Sequence, residues 1–153
     1  MRHHGLVRTK IVAAVVAAAF AAAVSVVAVA STAANGLPSY TDGYTKWQRI
    51  NKKPFTTTGP LSRAHQGVKN VYASKRKVGK RYPNGTVIVK TIQPSSRKGL
   101  PYQVAVMRKT SGTWRYDEYQ LAGARYRNLG FSQSLCQDCH VAARANDYVF
   151  TKK

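Results

Sequence analysis

The chain has 153 residues, of which 25 are lysine or arginine and five are aspartate or glutamate, giving a formal net charge of +20. That length supports one domain with a modest core, and two cysteines exclude a disulfide-rich scaffold. The positive surface attracts anions, whether acidic proteins, phosphate-rich polymers or a negative membrane face; a solvated basic face that keeps the protein soluble is the plainer account.

The first element is a leader. Arg2, Arg8 and Lys10 precede a run of 20 apolar and small residues, and Ala28-Val29-Ala30 suits signal cleavage. Residues 1–34 therefore read as a signal peptide, or as an N-terminal anchor, because the run is long enough to span a bilayer. Either way residues 35–153 are expected outside the cytoplasm, in the periplasm, as one domain.

Thr41–Ile50 (TDGYTKWQRI) reads as a short helix capped by Thr41 or Asp42. Gly43 to Trp114 contains no acidic residue, while Lys46, Arg49, Lys52, Lys53, Lys75, Arg76, Lys77, Lys80 and Arg81 crowd in. Gly67–Ser74 (GVKNVYAS) is a strand, and Pro83-Asn84-Gly85 is a turn. Thr86–Ile92 (TVIVKTI) is a β-branched strand, and Tyr102–Lys109 (YQVAVMRK) follows as an alternating one. Ser111-Gly112 turns the chain into Thr113–Leu121 (TWRYDEYQL), where Trp114, Tyr116 and Glu118 share one face and Arg115, Asp117 and Tyr119 the other. The expected fold is mainly β (α+β): an antiparallel sheet of about four or five strands, followed by one C-terminal helix.

That helix carries the chemistry. Cys136-Gln137-Asp138-Cys139-His140 holds both cysteines of the chain with a histidine directly after the second. Zinc asks for four ligands, and beyond the leader only His65 could join these three. A disulfide would close a tiny loop with little entropic gain. A thioredoxin-type dithiol prefers a βαβ context, which is missing here. C-x-x-C-H is the mark of c-type haem attachment. On a helix, positions i, i+3 and i+4 share a face, so two thiols reach the vinyl groups while the histidine falls beneath the iron. Ser132 is the expected N-cap. Cys136 and Cys139 are thus the expected covalent anchors of one haem c, and His140 the proximal iron ligand. Met107 and His65 are the two candidates for a sixth ligand, although a strand Met is ordinarily core filler and His65 could simply hydrogen-bond in a turn.

Seven stretches then resemble, in order, the cytochrome P-460 family with its cytochromes c′-beta: Tyr44–Trp47, His65–Tyr72, Arg81–Lys90, Val106–Lys109, Gly112–Tyr119, Cys136–His140 and Asp147–Thr151. The resemblance implies an antiparallel β fold around a c-type haem with an open distal face. It also implies one of two activities, hydroxylamine oxidation or binding of nitric oxide and similar gases. The hydroxylamine-oxidising members carry a lysine cross-link to the haem. Lys75 and Lys77 are the nearest positions for it here. The segment is short and its lysines belong to a basic run, so the cross-link is expected to be absent. Glu118, on the aromatic face of its strand, is the expected proton acceptor for hydroxylamine chemistry. The alternatives are an electron-transfer cytochrome with a closed sixth site and a basic polymer-binding protein. Expected partners are a small nitrogenous ligand and an acidic redox protein, with no nucleic acid. A membrane enters only through an uncleaved leader, and a homodimer is allowed.

Overall fold

A computed structural model describes residues 35–56, 65–94 and 98–151; the expected leader, residues 1–34, lies outside them. Six strands form one antiparallel sheet in sequence order. They are β1 (Gln48–Arg49), β2 (Val68–Ala73), β3 (Val87–Gln93), β4 (Gln103–Thr110), β5 (Thr113–Ala122) and β6 (Arg125–Asn128). The four strands legible in the sequence form the middle. The edges β1 and β6 add two and four residues whose side chains are mostly exposed, so they carry none of the alternation that marks a half-buried strand.

Each face of the sheet has its own core. Val87, Val89, Val104, Val106, Tyr119 and Tyr126 pack beneath Leu37, with Tyr40, Tyr44 and Trp47 around them. Val71, Ala73, Ile88, Met107, Trp114 and Tyr116 form the opposite core with Phe55, Tyr82 and Val149. β3 is buried from Val87 to Ile92, which explains its unbroken β-branched run: both of its faces are covered. Each Val or Ile so buried contributes about 1.5–3 kcal/mol. Thr41–Ile50 is not the expected helix. It begins on the last residue of one short 3-10 turn, Ser39–Thr41, and holds a second, Tyr44–Lys46, and then β1. Gly43 at φ +68 breaks the helical path between them.

The β4–β5 hairpin closes through Ser111 and Gly112, both at positive φ (+49 and +79), the backbone sense that matches strand twist. At the start of β2, Gly67 sits at φ +122, where a Cβ would lie 2.7 Å from the Gln93 carbonyl oxygen. Only glycine fits this approach, two residues after His65.

Helix α1 (Gln133–His140) starts at Ser132, whose side chain accepts a hydrogen bond from the Leu135 N–H. β6 pairs with β5 only from Tyr119 onward, so the outer edge of β5 is open at Tyr116. The Gln133 amide fills that gap: its Oε1 accepts from the Tyr116 N–H at 2.9 Å and its Nε2 donates to the Tyr116 carbonyl. Gln137, one turn on, accepts from the Tyr116 hydroxyl at 3.0 Å. The residues at i and i+4 thus pin α1 to β5. A 3-10 segment, Val141–Asn146, then turns the tail back at Asp147 and Tyr148, both left-handed.

Candidate functional site

Between the second sheet face and α1 lies a cavity of about 640 Å³, lined by Cys136, Cys139 and His140 from the helix side. Ile88, Ala105, Met107 and Tyr116 form its sheet wall, and Phe55, His65 and Phe150 help close it. Both cysteines are free thiols, Cys136 half-buried and Cys139 exposed. Burial, with the negative charge of Glu118, pushes the Cys136 thiol up.

His140 is buried between the rings of Tyr116 at 4.8 Å and Phe150 at 5.2 Å. Its Nδ1 lies 2.7 Å from the Tyr148 carbonyl oxygen. A carbonyl only accepts, so Nδ1 carries the proton and Nε2 keeps its lone pair for a metal. Burial, then the Lys90 ammonium, holds the imidazole down to about 4; it is therefore neutral at neutral pH, the form that ligates metals. The Tyr148 carbonyl is itself held by a clamp. Asp147, one residue before it, pairs with Lys109 at 2.7 and 3.0 Å and accepts from the Tyr82 N–H at 2.7 Å, all buried.

Glu118 lies on the cavity wall, buried, with Trp114 and Tyr116 on its face of β5. Its Oε1 is 3.3 Å from His65 Nδ1, close enough to couple electrostatically but without hydrogen-bond geometry; neither atom has another partner among the described residues. Burial pushes His65 below its ordinary value, Glu118 opposes this, and Lys90 and Lys69 reinforce it. Met107 and His65 both line the cavity.

Lys75 and Lys77 do not line it. The Lys75 ammonium donates to the Asn84 carbonyl at the surface. Lys77 donates to the backbone and side chain of Asn146 and lies over the Tyr82 ring at 5.1 Å. Two other lysines face the cavity, Lys69 and Lys90, both buried. Sequence reasoning missed them, although one signal was present. Lys90 interrupts TVIVKTI on the face it shares with Ile88 and Ile92, and a charge amid a doubly buried strand asks for a partner or a site.

The donor set suits a haem. Two thiols and an unprotonated imidazole nitrogen stand at i, i+3 and i+4 of one helix, against a largely apolar cavity of the size that takes a small molecule or cofactor. No curated protein sequence matches the chain. The family model for cytochrome P460 matches residues 41–151, which spans the whole sheet from β1, the cavity and α1, and implies a haem cofactor. The chain belongs to the cytochrome P460 family.

Proposed function

We propose that the chain is an exported protein carrying one covalent haem c, whose iron binds or converts small nitrogen species such as nitric oxide and hydroxylamine. The convergence of both thiols and a buried, oriented imidazole on one cavity, in a chain of this family, carries this reading. Cys136 and Cys139 would hold the group through thioether bonds, and His140 Nε2 would supply the protein's nitrogen ligand to its iron. Bound there, the haem supplies an iron that coordinates a small ligand and exchanges electrons.

The chain's own residues do the rest. The Tyr148 carbonyl orients His140 through Nδ1–H and raises its basicity as a ligand. Ile88, Ala105 and Met107 keep water from the cavity wall. Glu118 takes or returns protons for a substrate of the hydroxylamine type, with His65 next to it. Lys75 and Lys77, engaged away from the cavity, favour a haem with no cross-link at either of these two positions; the lysines that face the cavity are Lys69 and Lys90. The leader supports export, and the basic surface supports an acidic redox partner.

A second reading, electron transfer through a closed sixth site, is favoured by the presence of His65 and Met107 on the cavity wall. The optical spectrum of the reduced holoprotein, with and without carbon monoxide, separates the two. A five-coordinate spectrum that carbon monoxide changes at once is the expected result. A six-coordinate spectrum indifferent to carbon monoxide selects electron transfer. A colourless protein from a host with cytochrome c assembly refutes both.

A further inference from the structure

The turn that follows β2 concentrates charge around one apolar side chain. Five of the seven residues from Lys75 to Arg81 (KRKVGKR) are cationic, with Val78 and Gly79 in their midst. The chain reverses here on its own hydrogen bonds. The Val78 N–H donates to the Arg81 carbonyl at 2.9 Å, and the Arg81 N–H to the Val78 carbonyl at 3.3 Å. Gly79 sits at φ +59, and a Cβ there would meet no atom within 4 Å, so the tip stands clear of the body. Two of its lysines reach back and fasten it: Lys75 donates to the Asn84 carbonyl and Lys77 to Asn146. Arg76, Lys80 and Arg81 are exposed. Val78 is 76% exposed, more than any other large apolar side chain among the described residues.

An apolar side chain held in water gains by burial, and the charges around it say what would bury it. From Gly43 to Trp114 there is no acidic residue. A folded partner is discriminated by repulsive as well as attractive charges, and this stretch carries one sign only. An anionic lipid surface rewards each cation that reaches it, by about fivefold in affinity. A single apolar tip also suits a fluid interface, which closes around it, whereas a protein would need a matching pocket. We propose that the Lys75–Arg81 turn is a membrane-docking element: Arg76, Lys80 and Arg81 settle among the phosphates of an anionic phospholipid surface, and Val78 enters the interface between them. The docking is reversible, since one apolar side chain and three cations fall far short of a spanning helix. It is independent of the chemistry of the haem cavity.

The test is cosedimentation of the exported holoprotein with vesicles of phosphatidylcholine alone or mixed with phosphatidylglycerol, at rising salt. Binding to the phosphatidylglycerol vesicles only, weakening as salt rises, is the expected result. The triple variant Arg76→Gln, Lys80→Gln, Arg81→Gln should bind about a hundredfold more weakly, and Val78→Ser about tenfold. A control of equal charge on other exposed cations, Lys98→Gln, Arg125→Gln, Arg127→Gln, should stay within about threefold of wild type. Every substituted side chain is exposed, so Tm should hold in each variant. A wild-type protein that binds neither kind of vesicle, or both alike, overturns the proposal. So does a turn variant no weaker than the control, which would reduce the effect to net charge. Val78→Ser binding as tightly as wild type overturns it as well; if polyglutamate is then held through the same three cations, the turn serves an acidic polypeptide instead.

Discussion

Asp147→Asn is the sharpest structural perturbation in this protein. Asn tolerates the left-handed backbone at φ +55, keeps the shape of the side chain, and can still accept from the Tyr82 N–H. What it removes is the charge opposite Lys109, whose ammonium then stays buried at 4% residue exposure without its carboxylate. Breaking a buried pair from one side costs about 3–5 kcal/mol. A domain of this size shifts its Tm by roughly 4 °C per kcal/mol, so the melting temperature should drop by about 12–20 °C. The double variant Lys109→Met with Asp147→Asn removes both charges and should recover most of that loss, because a buried pair replaced by packed groups is often neutral. Thermal denaturation of the holoprotein, followed by circular dichroism, measures both. The same clamp holds the backbone that orients His140, so the single variant should also perturb the axial-ligand spectrum before it melts. A single variant melting within about 3 °C of wild type, or a double variant no better than the single, would refute the idea that this pair holds the tail in place.

Protein matured with cytochrome c assembly should keep its haem colour on a denaturing gel. Cys136→Ala or Cys139→Ala should weaken that retention, and a colourless wild-type band refutes covalent attachment. His65 is depressed by burial, so below its ordinary value the unfolded chain binds a proton that the folded one does not, and stability falls as pH drops through that range. His65→Asn should flatten this part of the stability-pH curve; an unchanged slope counts against a buried neutral His65. Peptide mapping should find neither Lys75 nor Lys77 attached to the haem, and an adduct at either would move the assignment to hydroxylamine oxidation, with Glu118→Gln as the next variant. Association with an acidic redox partner should slow as ionic strength rises, since steering by the exposed Lys46-to-Arg81 surface is screened over about 8–10 Å; a salt-independent rate removes that surface from the mechanism.

The C-x-x-C-H motif, the N-cap at Ser132, the four central strands and the shared face of Trp114, Tyr116 and Glu118 were all written in the sequence, because each is a local pattern. Spacing of two puts side chains on one face of a strand, spacing of three and four does so on a helix, and neither depends on what packs there. The edge strands were hidden for the complementary reason. β1 and β6 are short and solvated, held by backbone ladders rather than by an apolar pattern. The site beyond Cys136, Cys139 and His140 was decided by tertiary structure alone. Lys69 and Lys90 face the cavity because they share one face of β2 and β3, whereas Lys75 and Lys77 lie beyond the end of β2. That Glu118 meets His65 across a gap of 53 positions, and that Asp147 meets Lys109, follows from chain segments distant in sequence being folded against one face. A sequence lists its charges, but which of them are buried together, and so must find a counter-charge or a ligand, is fixed only when the sheet acquires its covers.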